Sequence, residues 1–391
     1  MIVIVLLAFA AAFLISAFVI GFVAQPEGGT VHQRVSAWTE IFDFKGNIQN
    51  AEKCSPHVWD YGVCLKCGEI CTHPAHDKET HICPDCGSSV CHEYENLVCT
   101  VCGKQFEFEL SSVDSNSIYG TGRQGSVETL TYLTKNYNTG SQEPIKKQME
   151  VYLPYGYNED EKYNVIFLIP GTDGKYTYWL TENHGYRFPD GDVDAVCLKT
   201  VLDNMIAGGL CKPVIVVSLT YYLNDFYRGK GDDYERDSLQ LTYEFPQDIL
   251  PAVISKYSTY AEGTDTAGIS KVRNHFAVIG VSAGSVITAE AALKNNNDIF
   301  GYYGIISGCR TNADDILNSI ASKGERIWYL VACAGENDSN REKTKELFDG
   351  LSGNGIVDNS NSAYLEIEGA GHEDRVWFTG IYNCLQIFFT N

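Results

Sequence analysis

From Asn164 onward the chain alternates two kinds of segment. Short runs that are apolar at nearly every position (Asn164–Ile169, Val214–Leu219, Phe276–Val281, Tyr302–Ser307, Ile327–Cys333 and Ala363–Ile367) are separated by longer stretches with helical character. Those stretches are approximately Ala195–Ala207, Leu239–Tyr257, Ala283–Lys294, Ala313–Ser322 and Arg341–Leu351. A strand that is apolar on both faces must be covered on both faces, so the alternation predicts a mostly parallel sheet between two layers of helices. Upstream, Ser126–Thr134 and Lys147–Leu153 are β-prone runs on either side of Asn138-Thr139-Gly140, which reads as a hairpin. Together these segments predict one α/β domain over residues 126–391.

The pattern before residue 126 is different. Met1–Ala24 carries no charged side chain. A helix of that length spans roughly 36 Å, enough for a hydrocarbon core of about 30 Å. It reads as an uncleaved membrane anchor or a secretory signal, and either takes the chain to or through a membrane. A polar linker over 25–50 leads to a cysteine-rich module over 51–106, and a Ser/Gly/Asn-rich seam over 107–125 closes it.

Of 14 cysteines, nine lie in that module, and they follow a threefold register. His57, His76 and His92 each stand seven residues before a cysteine that opens a Cys-x-x-Cys-Gly: Cys64/Cys67, Cys83/Cys86 and Cys99/Cys102. Each histidine also follows another cysteine, namely Cys54, Cys71 or Cys91. Twelve ligands in three Cys₃His sets match closed structural zinc sites, so about three zinc ions are expected. A disulfide framework is the competing reading, but it does not explain the histidine register. No His-Glu-x-x-His is present, which argues for structural and against catalytic metal. The formal net charge of −21 argues against a nucleic-acid partner, because phosphate is neutralised by Lys and Arg.

The α/β domain carries the candidate chemistry. Gly280-Val281-Ser282-Ala283-Gly284 joins a predicted strand to a predicted helix, the setting in which Gly-x-Ser-x-Gly forms a nucleophile elbow. A serine hydroxyl needs a histidine base held by a carboxylate. Asp338 follows the strand Ile327–Cys333, and His372 follows Ala363–Ile367, in the order Ser, acid, His. Glu336, Glu373 and Asp374 are rival carboxylates. An oxyanion hole requires two backbone N–H donors, and those of Ala283 and Thr172 are the candidates. Tyr176, Trp179 and Tyr221, with Tyr178 and Tyr222, are candidate aromatic contacts for a phenolic acid or sugar.

Nearly all of Ser126–Phe389 resembles the esterase D/feruloyl-esterase family of α/β-hydrolases. The resemblance is carried by Val151-Tyr152-Leu153-Pro154-Tyr155-Gly156-Tyr157, Ile206-Ala207-Gly208-Gly209, Phe245–Tyr257, the elbow, Gly335–Asp338 and Gly371-His372 through Trp377. It implies an α/β-hydrolase fold with Ser282 as nucleophile, Asp338 as acid and His372 as base, and no catalytic cofactor. Two positions depart from the family pattern: Pro170-Gly171 replaces the usual His-Gly, and Ala283 and Ser285 replace the Met and Gly of Gly-x-Ser-Met-Gly-Gly. The expectation is a serine carboxylesterase acting on feruloyl or acetyl decorations of plant polysaccharide outside the cytoplasm, at a bacterial cell surface. A peptidase or lipase on the same fold, or an idle hydrolase fold serving as an envelope or glycan-binding scaffold, are the alternatives.

Overall fold

The computed structural model describes residues 111, 113, 123–172, 174–187, 193–223 and 233–390, together with four two-residue strands nearer the N-terminus. Two compact units divide the chain, residues 1–77 with 82–88 and residues 78–81 with 89–391. The first contains the hairpin β1 (Trp59–Asp60) and β2 (Val63–Cys64). The second contains the matching hairpin β3 (Tyr94–Glu95) and β4 (Val98–Cys99), and the large sheet. Both hairpins have the same register, with Trp59 opposite Cys64 and Tyr94 opposite Cys99. The seven-residue spacing from histidine to cysteine thus spans one tight hairpin in the first and third repeats. The N-terminal apolar run and the side chains of the twelve expected zinc ligands lie outside the described residues. Among the described residues no helix is long and apolar enough to cross a membrane, and no cluster of His, Cys, Asp and Glu is arranged to hold a metal ion.

The large sheet has eight strands. β5 (Ser126–Thr134) and β6 (Ile145–Leu153) form the expected hairpin, turning through Gly140 at φ 70°. β7 (Asn164–Ile169), β10 (Val214–Ser218), β11 (Phe276–Val281), β12 (Tyr302–Ile306), β13 (Tyr329–Gly335) and β14 (Ser362–Ile367) are mutually parallel. The order is β14-β13-β12-β11-β7-β10-β6-β5. Alternate residues of β7 feed two separate cores. Val165, Phe167 and Ile169 enter one, where Phe167 meets Phe245 and Phe300 edge-on. Ile166 and Leu168 enter the other, with Trp179, Phe378 and α1 (Leu198–Ala207).

The remaining helices are α2 (Tyr234–Glu244), α3 (Leu250–Lys256), α4 (Thr266–Ser270), α5 (Ala283–Ile287), α6 (Ala313–Lys323), α7 (Arg341–Gly353) and α8 (Asp374–Ile387). A π-helical turn, Phe245–Ile249, joins α2 to α3. Pro246 and Pro251 lack the N–H that a continuous α-helix would use, which gives the widened turn a physical cause. The helix expected from Ala195 begins instead at Leu198, because Val193–Val196 forms β9 paired with β8 (His184–Arg187).

Two residues of the expected 107–125 linker pack with the hydrolase fold. Val113 is buried in the second core. The backbone of Ser111 exchanges hydrogen bonds with the buried Asn383 amide of α8, at 3.2 and 2.9 Å, and its hydroxyl accepts one from Gln386 at 3.0 Å.

Candidate active site

β7 pairs with β10 on one side and β11 on the other, so the chain reverses direction across the sheet at β7. A crevice opens at the carboxyl ends of strands at such a switch point. Ser282 stands there, directly after β11, at φ 54° and ψ −118°. A non-glycine residue in that region costs on the order of 1–3 kcal/mol and persists only where its surroundings enforce it. Two glycines do so here. A Cβ on Gly280 would fall 2.1 Å from the Gly284 carbonyl oxygen, and one on Gly284 would fall 2.3 and 2.4 Å from the oxygens of Ile169 and Pro170. The elbow is also tied laterally: the Ser282 N–H donates to Ile306 O at 2.8 Å, and the Ser285 hydroxyl donates to Gly308 O at 2.6 Å. That second bond gives a use to the serine that departs from the family pattern.

Ser282 Oγ lies 2.8 Å from His372 Nε2, and His372 Nδ1 lies 3.0 and 3.1 Å from the Asp338 carboxylate oxygens. With the ring proton on Nδ1 donating to Asp338, Nε2 is free to accept from the serine hydroxyl. Burial raises the cost of ionising Asp338. Hydrogen bonds from His372 and the Asn340 N–H, and the nearby Ser307 hydroxyl, more than offset it and hold the carboxyl below the ordinary aspartate value. The Asp338 side chain is fully buried while the His372 ring is 34% exposed, which leaves the base open to substrate and water.

The rival carboxylates are engaged elsewhere. Glu336 is exposed and accepts from the Gly369 N–H at 2.8 Å, and Glu373 accepts from the Gly371 N–H at 3.3 Å. Asp374 faces His184, with oxygen and nitrogen 3.9 Å apart. Of the oxyanion candidates, Ala283 opens α5 beside the nucleophile, and the loop carrying Thr172 abuts it: a Cβ on Gly171 would lie 3.3 Å from Ser282 Cβ.

The aromatic candidates separate. Trp179 is fully buried, with its ring centroid 5.7 Å from that of Phe378, and Tyr221 is 2% exposed. Neither presents a stacking face, which corrects the expectation that they contact substrate. Tyr176 is half-buried, and its hydroxyl donates to Gln148 at 3.2 Å. Trp377, not singled out from sequence, sets its ring edge-on to His372 at 5.5 Å between centroids. It sits one turn into α8, a helix whose nearly continuous burial hides any amphipathic stripe.

No family model matches the chain. Over 200 residues, 49% of the chain, it is 32% identical to endo-1,4-beta-xylanase Y of Acetivibrio thermocellus. Over 261 residues, 65% of the chain, it is 24% identical to an endo-1,4-beta-xylanase/feruloyl esterase of Xylanibacter ruminicola. The matched stretches are 16% and 30% of those relatives, so the chain spans less than a third of their length. Among solved structures, the feruloyl esterase module from Clostridium thermocellum complexed with sinapinate is similar at 25% identity and a TM-score of 0.60. That likeness covers 73% of this chain and 96% of the module. The fold is shared further with a CE1 ferulic acid esterase from Anaeromyces mucronatus, at 19% identity and a TM-score of 0.54 over 73% of this chain and 99% of that one. The mixed, mostly parallel sheet and the position of the elbow are those of an α/β-hydrolase.

Proposed function

We propose that the chain is a serine carboxylesterase that removes feruloyl or acetyl groups from plant polysaccharide through an acyl-enzyme. The observation that carries this is the hydrogen-bonded series Ser282–His372–Asp338, at 2.8 and 3.0 Å, in a domain similar to a feruloyl esterase module. Ser282 Oγ attacks the ester carbonyl as its proton passes to His372 Nε2. The N–H groups of Ala283 and Thr172 receive the developing oxyanion, and Asp338 stabilises the imidazolium. His372 then gives its proton to the departing sugar hydroxyl, the acyl group remains on Ser282, and a water activated by His372 releases the free acid. Hydrolysis of methyl ferulate and of acetylated xylan by the purified protein, with Ser282→Ala as control, tests the reading and chooses the acyl group. Ferulate release lost in Ser282→Ala supports it; hydrolysis of neither ester refutes it.

In the same reading, residues 51–106 hold about three structural zinc ions through Cys₃His sets, supported by the repeat register and by the identical hairpins before Cys67 and Cys102. The apolar run at 1–24 and a polymeric substrate support action outside the cytoplasm, on a membrane anchor or after secretion.

A further inference from the structure

Two adjacent tyrosines in the segment that follows the neighbouring strand β10 brace the oxyanion loop after β7, which also closes a turn of its own, with the Gly174 N–H donating to Gly171 O at 3.0 Å. The Tyr221 hydroxyl donates to Gly171 O at 2.9 Å, and the Tyr222 hydroxyl donates to Thr172 O at 3.0 Å. Their rings lie against each other, with centroids 4.4 Å apart. Gly171 O belongs to the same rigid peptide unit as the Thr172 N–H, and in a trans peptide the two point in opposite directions. Anchoring the carbonyl therefore aims the N–H, and accepting a hydrogen bond on the oxygen polarises the donor at the other end. Tyr222 holds the Thr172 carbonyl in the same way. The ring of Tyr222 leaves no slack, since a Cβ on Gly174 would fall 2.5 Å from its Cε2.

The tyrosines are themselves anchored. Thr220, the residue before them, accepts at its carbonyl from Lys147 Nζ at 3.0 Å, and its hydroxyl accepts from the Tyr222 N–H at 3.2 Å. Lys147 is 1% exposed and pairs at 2.8 Å with Glu244, which is fully buried. The Glu244 carboxylate also accepts from the Tyr132 hydroxyl at 2.7 Å and the Gln240 amide at 2.9 Å. Breaking such a buried pair leaves an uncompensated charge, so the Thr220 carbonyl has a stiff support.

We propose that Tyr221 and Tyr222 are positioning residues that orient the Thr172 N–H for the oxyanion, with the Lys147–Glu244 pair as their foundation. This rests on the triad reading above and adds to it what sets the second donor.

The test uses the full chain and p-nitrophenyl acetate, a small ester that needs the triad and oxyanion hole but no ferulate or sugar contacts. Removing an oxyanion donor outright costs about 10²–10³ in kcat, so misaligning one should cost about 10-fold in Tyr221→Phe and more in the Tyr221→Phe/Tyr222→Phe double variant. KM should stay within about twofold, because the loop acts on the transition state. The acid limb of the kcat–pH profile should not move, since the base is untouched. Unchanged kcat in the double variant, or a raised KM with kcat intact, would overturn the proposal. If the double variant fails to fold, Tyr221→Phe decides alone, since it removes only the hydroxyl that holds the donor's own peptide. Failure of the triad reading would appear separately, as wild-type turnover in Ser282→Ala.

Discussion

Cutting the chain within the seam, at residue 117, should weaken the hydrolase domain without touching its chemistry. Compared with a fragment of residues 107–391, one of residues 117–391 loses Val113 from the second core. It also loses the three hydrogen bonds between Ser111 and the Asn383 and Gln386 side chains. Burying a valine is worth about 1.5–3 kcal/mol. Leaving the buried Asn383 carbonyl oxygen without a donor costs about 1–3 kcal/mol more. A combined loss of about 2.5–6 kcal/mol lowers Tm by roughly 4–10 °C for a domain of this size. Calorimetry of both fragments measures that difference, while kcat on p-nitrophenyl acetate at room temperature should agree between them. A second substitution gives the cause. Asn383→Leu should destabilise the longer fragment, where the amide is satisfied, and recover part of the loss in the shorter, where it is not. Identical melting curves for the two fragments would refute the argument, as would an equal effect of Asn383→Leu in both.

Asp338→Asn should lower kcat by about 10⁴ by leaving His372 in the wrong tautomer, whereas the exposed Glu336→Gln should stay within a few-fold of wild type; the reverse order would reassign the acid. Burial raises the Glu150 carboxyl, so the folded protein keeps this proton over a pH interval in which the unfolded chain has lost it. Ionisation therefore costs stability above that interval. Glu150→Gln should raise Tm at alkaline pH, and the advantage should vanish below about pH 4, where both folded and unfolded carboxyls are protonated. An advantage that persists in acid would mean that the charge is not the cause. Segment 51–106 should bind about three zinc ions by native mass spectrometry, and replacing Cys83 and Cys86 together should remove one. Metal-free protein with four disulfides would overturn the zinc reading.

The parallel sheet was legible because β7, β11 and β12 are apolar at almost every position, a pattern that solvent-facing strands cannot carry. The Ser-Asp-His order was legible because each residue follows such a run. What escaped was set by tertiary contact. Trp179 and Tyr221 have the composition of a ligand-stacking cluster, and only burial distinguishes them from one. The β8–β9 hairpin was hidden because Val193–Val196 leads without a turn signal into the helix that follows. α8 gave no periodicity because it is enclosed nearly all round. Lys147 reads as a surface cation on a β-hairpin; its buried partner Glu244 lies 97 residues later in the numbering, on a separate helix.

The backbone of Ser282, held at φ 54°, carries a consequence for engineering. Glycine occupies that conformation at no steric cost, so Ser282→Gly relieves strain that the serine must bear. A library of variants sorted for thermal resistance alone would therefore favour loss of the nucleophile, and the most heat-resistant survivors would be inert. Selection for ester turnover at elevated temperature avoids that trap, because it scores the strained conformation for what it does.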